Sequence, residues 1–170
     1  MSTHVLFESD AHLVLTGDEI TFEAVNAQNV AATAIAAAEN SDRIELCGAI
    51  AVQDILAVQE AVGQAAEVRA NRYAFESLAQ IADYARRYGE GEQTHDLFAY
   101  PAPESSITEH GRLIVAAVAD DDSLASAARL VLDRAQGRAA LVELYGGLGA
   151  RDAALVRAAT QDAVPVGFID

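Results

Sequence analysis

Ile44-Glu45-Leu46-Cys47-Gly48 recurs as Val142-Glu143-Leu144-Tyr145-Gly146, 98 positions later. The same offset aligns Asp54 with Asp152, Val58 with Val156, Ala61 with Ala159 and Val68 with Val166. Matches that stay in register beyond one pentapeptide imply a single supersecondary unit used twice. Upstream, Glu23-Ala24-Val25 runs parallel to Ala116-Ala117-Val118 at an offset of 93. The second copy therefore carries about one extra helical turn.

Each copy reads strand, helix, strand, helix, strand. In the first, the pattern predicts strands over 20–25, 43–47 and 66–70 and helices over 30–39 and 52–62. In the second it predicts strands over 113–118, 140–145 and 164–169. Helices follow over 124–136, where apolar residues fall at helical spacing, and over 150–160. Asp120-Asp121-Asp122-Ser123 supplies caps and favourable charge at the first of these, and Gly137 ends it. Short strands alternating with helices point to parallel pairing through right-handed crossovers.

The expected fold is α/β: two β-α-β-α-β repeats forming one mostly parallel sheet, open or partly barrel-like, with an N-terminal hairpin. Val5-Leu6-Phe7 and Leu13-Val14-Leu15 read as antiparallel edge strands, and Thr16 to Glu19 as a hairpin turn. The whole of 1–170 reads as a single domain. Repeat one covers about 20–73, a connecting helix and linker 74–111, and repeat two about 112–170. Pro101 and Pro103 fall in the stretch 89–109, where the pattern lapses.

Composition excludes several functions. Every one of the 11 basic residues is arginine, so Schiff-base, pyridoxal phosphate and Walker-type phosphate lysines are ruled out. A net charge of −15 argues against nucleic acid and against anionic membrane surfaces. One cysteine allows no internal disulfide. The start lacks the basic and apolar regions of a signal peptide, and no apolar run reaches about 18 residues. The expected setting is cytoplasmic and reduced. Rich Ala and Arg without Lys points to a bacterial genome of high GC content.

The candidate chemistry lies at the strand ends, where α/β folds place ligands. Glu45 and Glu143 each sit one step inside a strand that should be apolar on both faces. A lone carboxylate there is costly unless paired or protonated. The two form either buried ion pairs, with Arg69 the partner to test for Glu45, or an acid/base or cation-holding pair. Cys47 and Tyr145 occupy equivalent places at the strand ends, before a turn. Cys47 reads as an acid/base or nucleophilic thiol, or as a small packing residue.

Gly146-Gly147-Leu148-Gly149 is a strand-to-helix turn whose amides could hold an anion, without being a dinucleotide fingerprint. Arg69 and Arg72, near Asn71 and Tyr73, would suit a carboxylate or phosphate on a ligand. His95-Asp96 and Glu109-His110 could hold a metal with Glu104, but lack the spacing of a zinc site.

The segment Asp42 to Gly48 resembles an uncharacterised bacterial family of short α/β proteins. Its members carry an Ile-Glu-Leu-Cys-Gly-Gly-Phe-Gly segment, then a helix with an Ala-Val-Gly end and a Val-rich strand. Here Ile44 to Gly48 and Glu60-Ala61-Val62-Gly63 match in copy one. Val142-Glu143-Leu144, Gly146 to Gly149 and Val164-Pro165-Val166-Gly167 match in copy two. Ala49, Ala51 and Tyr145 depart from the pattern. The resemblance implies the fold, apparently duplicated, and no activity.

The expected function is a small cytoplasmic enzyme of isomerase or lyase type acting on a small polar or anionic metabolite. The alternative is a non-catalytic ligand-binding or oligomeric scaffold protein. No organic cofactor is expected; the reaction is cofactor-free or uses a divalent metal. The Ala-rich helices 30–39 and 150–159 suggest a homodimer.

Overall fold

The structure is a computed structural model that describes residues 2–169. The chain divides after Asn71 into two compact units.

The first unit runs β1 (Thr3–Glu8), β2 (Val14–Thr16), β3 (Ile20–Val25), α1 (Val30–Ala38), β4 (Arg43–Leu46), α2 (Val52–Val62) and β5 (Glu67–Ala70). Its sheet has the order β2-β3-β1-β4-β5. All neighbours pair parallel except β2 with β3, the expected hairpin. The Gly17 N–H donates to the Ile20 carbonyl at 2.8 Å and closes its turn. α1 packs beside α2. Leu6, Ile44 and Leu46 are fully buried, as are Ala34 of α1 and Val58 of α2.

The second unit begins with the two-residue β6 (Arg72–Tyr73) and a short 3₁₀ turn, Phe75–Ser77. There follow α3 (Leu78–Gly89), β7 (His95–Pro101), β8 (Ser106–His110), β9 (Leu113–Val118), α4 (Asp121–Ala135), β10 (Ala140–Leu144), α5 (Ala150–Thr160) and β11 (Val166–Phe168). The sheet order is β6-β11-β10-β7-β9-β8. Only the outer strands β6 and β8 pair antiparallel. α4 and α5 pack together on one face, closing a core that includes Leu97, Ile114, Leu124, Val131, Val142 and Val156. α3 lies on the other face. Its Tyr84 bonds Asp96, whose side chain alternates with that of Leu97.

From β1 to β5 and from β7 to β11 the two units therefore run the same elements in the same sheet order. The α/β class, the mostly parallel pairing and the hairpin stand as expected. The single sheet does not: the strands lie in two sheets. The reason lies in β5, whose exposed Glu67 and Arg69 mark a charged edge strand. β1 is also not an antiparallel edge strand, since it pairs parallel with both β3 and β4. The stretch read as a linker holds β7, which lies between β10 and β9. Its apolar run, Leu97 to Tyr100, is short and bounded by His95, Asp96 and Pro101, which conceals it.

Among the described residues, no helix is long and apolar enough to cross a membrane. Leu97 is 0% exposed at the centre of β7. Leu97→Ala is expected to lower stability by about 2–5 kcal/mol in denaturant melts. A loss under about 1 kcal/mol would mean that this strand does not carry the core.

Candidate functional site

In the first unit the polar residues form a chain along β4 and β5. Glu45 is 0% exposed. Its Oε1 lies 2.9 Å from Nε of Arg43, two residues earlier on the same face, a close ion pair without hydrogen-bond alignment. Arg43 also stands 3.8 Å from Glu67. Arg69, the partner tested for Glu45 from the sequence, binds Glu67 at 2.6 Å through Nη2. That bond, then the charges of Arg69 and Arg43, holds the Glu67 carboxyl below its ordinary range against its own desolvation. Arg69 stands in register beside Glu45 on β5 and is bound by half-exposed Glu67. Cys47 is buried, and its Sγ accepts the Glu8 backbone N–H at 3.3 Å.

In the second unit the arrangement differs. Glu143 is 1% exposed and stands in register between Phe98 of β7 and Gly167 of β11. The Tyr73 hydroxyl donates to Glu143 Oε1 at 2.5 Å. The Tyr145 hydroxyl donates to Oε2, also at 2.5 Å. Tyr145 reaches back from two residues along, on the same face. Tyr73 comes from β6, two strands away, and is itself in register with Gly167. A glycine between them leaves no side chain in the path of the phenol. The Tyr145 ring is fixed edge-on against Phe98, with centroids 5.4 Å apart.

A second acid lies on the same face. Asp96 pairs in register with Leu141, two residues before Glu143. The Tyr84 hydroxyl donates to its Oδ1 at 2.7 Å and lies 3.2 Å from Thr94 Oγ1. Desolvation pushes the Asp96 carboxyl up to about 6, the Glu143 charge adds to this, and the Tyr84 bond opposes it. Burial, then the Asp96 charge, pushes the Tyr84 hydroxyl up, so it remains a donor. Two carboxyls and three phenols thus gather on one sheet face of one unit.

The sequence singled out Glu143 and Tyr145 but not Tyr84 and Asp96, the second bonded pair on that face. The available signal was the alternation of Asp96, Phe98 and Tyr100 against Leu97 and Ala99, which marks a strand. Gly146, Gly147 and Gly149 form the turn before α5, with positive φ of 66° and 99° at the first two. The Gly149 N–H is taken by Asp152 of the same helix, at 2.9 Å. An internal carboxylate thus occupies part of the expected anion cradle. Arg72 is exposed on β6. Among the described residues no group of three or more His, Cys, Asp or Glu side chains is placed to hold a metal ion, so His95, Asp96, Glu104, Glu109 and His110 do not converge on one.

No protein-family model matches the chain, and no curated protein matches it. Among solved structures the chain is similar to the crystal structure of a carbohydrate transporter from Acidothermus cellulolyticus 11B in complex with myo-inositol. The identity is 17% and the TM-score 0.31, over 98% of this chain and 73% of that one. A likeness that slight carries no inference to this chain.

The raised Asp96 carboxyl makes stability depend on pH. The folded chain holds this proton more firmly than the unfolded chain, so folding takes up a proton between about pH 4 and pH 6. This contribution to stability falls as pH rises through that window. Asp96→Asn is therefore expected to stabilise the protein at pH 8, by at most about 3 kcal/mol, and to make little difference near pH 4. Equal effects at both pH values in denaturant melts would contradict this.

Proposed function

We propose that the protein is a small enzyme that transfers a proton on a small polar or anionic metabolite, of isomerase or lyase type. The observation that carries this reading is Glu143, held inside a strand by two tyrosine hydroxyls. Two donors fix both carboxylate oxygens, and a carboxylate held rigidly in a dry site suits proton transfer. Glu143 takes the substrate proton, Tyr145 and Tyr73 orient it, and Asp96 provides a second carboxyl that exchanges a proton near neutral pH. The reaction needs no organic cofactor; a divalent metal is a further ligand to screen. Cys47 serves packing, as its bond to Glu8 favours. Glu45 serves structure through Arg43.

A second reading, a non-catalytic ligand-binding or scaffold protein, draws on the enclosure of Tyr145, which is 0% exposed. One experiment separates them. The protein is incubated in D2O with a panel of small polar and anionic metabolites, with and without divalent metals, and C–H signals are followed by NMR. The enzyme reading expects exchange with at least one member and a loss of roughly 10²-fold or more in Glu143→Gln, with stability kept. Glu45→Gln, by contrast, strands Arg43 and should cost about 3 kcal/mol in melts. No exchange anywhere, together with a loss of that size in Glu143→Gln, would end the enzyme reading.

Two further readings go with this one. The shared element order of the two units supports a duplication of one unit, of the kind found in the bacterial family that Ile44 to Gly48 resembles. We infer a soluble cytoplasmic setting, which the single cysteine and the net charge of −15 favour. We also infer a homodimer. α1 contains no charged residue and exposes Ile35, so a second copy of a chain of net charge −15 meets least repulsion there. Sedimentation at micromolar concentration should give twice the chain mass, and Ile35→Asp should return it to one. A wild-type protein that sediments as a monomer would refute this.

A further inference from the structure

A second feature of the β7–β11 unit stands apart from Glu143, at the opposite end of the strands. β9, β7 and β10 are neighbours, and their amino ends bring three basic residues together. The His95 N–H donates to the Ala139 carbonyl at 2.9 Å, and the Asp96 N–H donates to the Arg112 carbonyl at 3.1 Å. Arg112 and Arg138, in the segments that lead into β9 and β10, therefore flank the start of β7. His95 is in register with Ala140 of β10, and Leu97 with Ile114 of β9. Arg112 comes just before β9 and Arg138 two residues before β10, both exposed, so both lie beside the start of β7.

This corner is electrostatically unfavourable as it stands. Burial first, then the charges of Arg138 and Arg112, pushes the His95 imidazole down. His95 Nδ1 is buried without a hydrogen-bond partner. Neither arginine makes an ion pair among the described residues, in a chain with 26 acids. Among the acids that the neighbouring elements bring close, Asp96 feels the Arg112 charge and is bonded by Tyr84, and Asp83 of α3 is bound by Arg86. Glu92, which accepts the Ala139 N–H, is bound by Arg87, and Glu109 of β8 is bound by Arg134. The Arg112 charge acts on the Asp96 carboxyl, yet among the described residues neither guanidinium has an acid within ion-pair distance, and two such groups beside an imidazole suit an anion.

We propose that His95, Arg112 and Arg138 bind the phosphate group of a small metabolite. Guanidinium forks match phosphate oxygens, and the imidazole adds a third donor once protonated. Arg138 also borders a cleft of about 280 Å³ under α3, whose wall includes Leu132, Val164 and Pro165. That cleft, whose wall also carries Asp83 and Arg87 of α3, has room for the body of a phosphate ester. The three basic residues are not part of the proton-transfer reading, although the cleft is also lined by Tyr84, the donor to Asp96.

The test is thermal shift and calorimetry with inorganic phosphate at fixed ionic strength, chloride being the control. Phosphate should raise the melting temperature where chloride does not. Arg138→Gln and Arg112→Gln should each weaken binding about tenfold, and the double variant should abolish it. Arg129→Gln on α4 should bind as the wild type does. The His95 ring resonances should move with phosphate in the wild type and stay still in the double variant. A phosphate monoester that binds tenfold tighter than inorganic phosphate would assign the cleft to the ester body; equal binding would assign the site to free phosphate. An identical response to chloride, or phosphate binding that survives in the double variant, would overturn the proposal.

Discussion

In each unit the strand that opens the shared five-strand pattern, β1 or β7, lies inside the sheet, with the later strands of that pattern on either side of it. The next two strands form a hairpin that fills one side. Crossover helices then carry the chain over the first strand to the other side. Because right-handed crossovers stack their helices on one face, that face closes with Leu, Val and Ala. The other face carries side chains of a different kind, in the second unit with α3 against them. Glu45 and Glu143 lie on that face, each on the strand that follows the first crossover.

The two glutamates occupy equivalent places and are stabilised by different neighbours. Same-face neighbours on a strand lie two residues away. Before Glu45 stands Arg43; before Glu143 stands Leu141. After Glu45 stands Cys47, too short to reach back, and its sulfur takes the Glu8 amide instead. After Glu143 stands Tyr145, whose hydroxyl does reach back. A guanidinium neutralises one carboxylate, and phenols hold the other without adding charge. The first arrangement is an ordinary solution to burial. The second keeps a carboxylate fixed and undiluted by a counter-ion from those bonds, which makes it the better candidate for chemistry.

Much of this was legible in the residues themselves. The helices Val52–Val62 and Ala150–Thr160 and the strands Ile20–Val25 and Leu113–Val118 follow from periodicity and turn residues. β7 was not legible, because four apolar residues between polar ones and a proline look like a loop. Without β7 the central position of the first strand is invisible, and so is the split into two sheets. The partners of Glu143 were hidden for a related reason. Tyr73 lies 70 positions away and arrives only because β6 pairs with β11. Tyr84 and Asp96 meet through a helix that packs on a strand not foreseen. Arg43 was the opposite case: it stood two residues from Glu45, and only the longer-range Arg69 was considered.

The phenol–carboxylate bonds also give the molecule an optical character. The chain contains five tyrosines and no tryptophan, so its intrinsic emission is that of phenols alone. Three of the five, Tyr73, Tyr84 and Tyr145, donate to a carboxylate. An excited phenol is a far stronger acid than one in its ground state, and each of these faces a ready acceptor. The folded protein should therefore be dim, its light lost to proton transfer toward Glu143 and Asp96. Tyr88, stacked on Tyr84 at 6.3 Å, drains toward the same sink. Brightening would then report the parting of these side chains directly, without a dye, a label or an introduced residue.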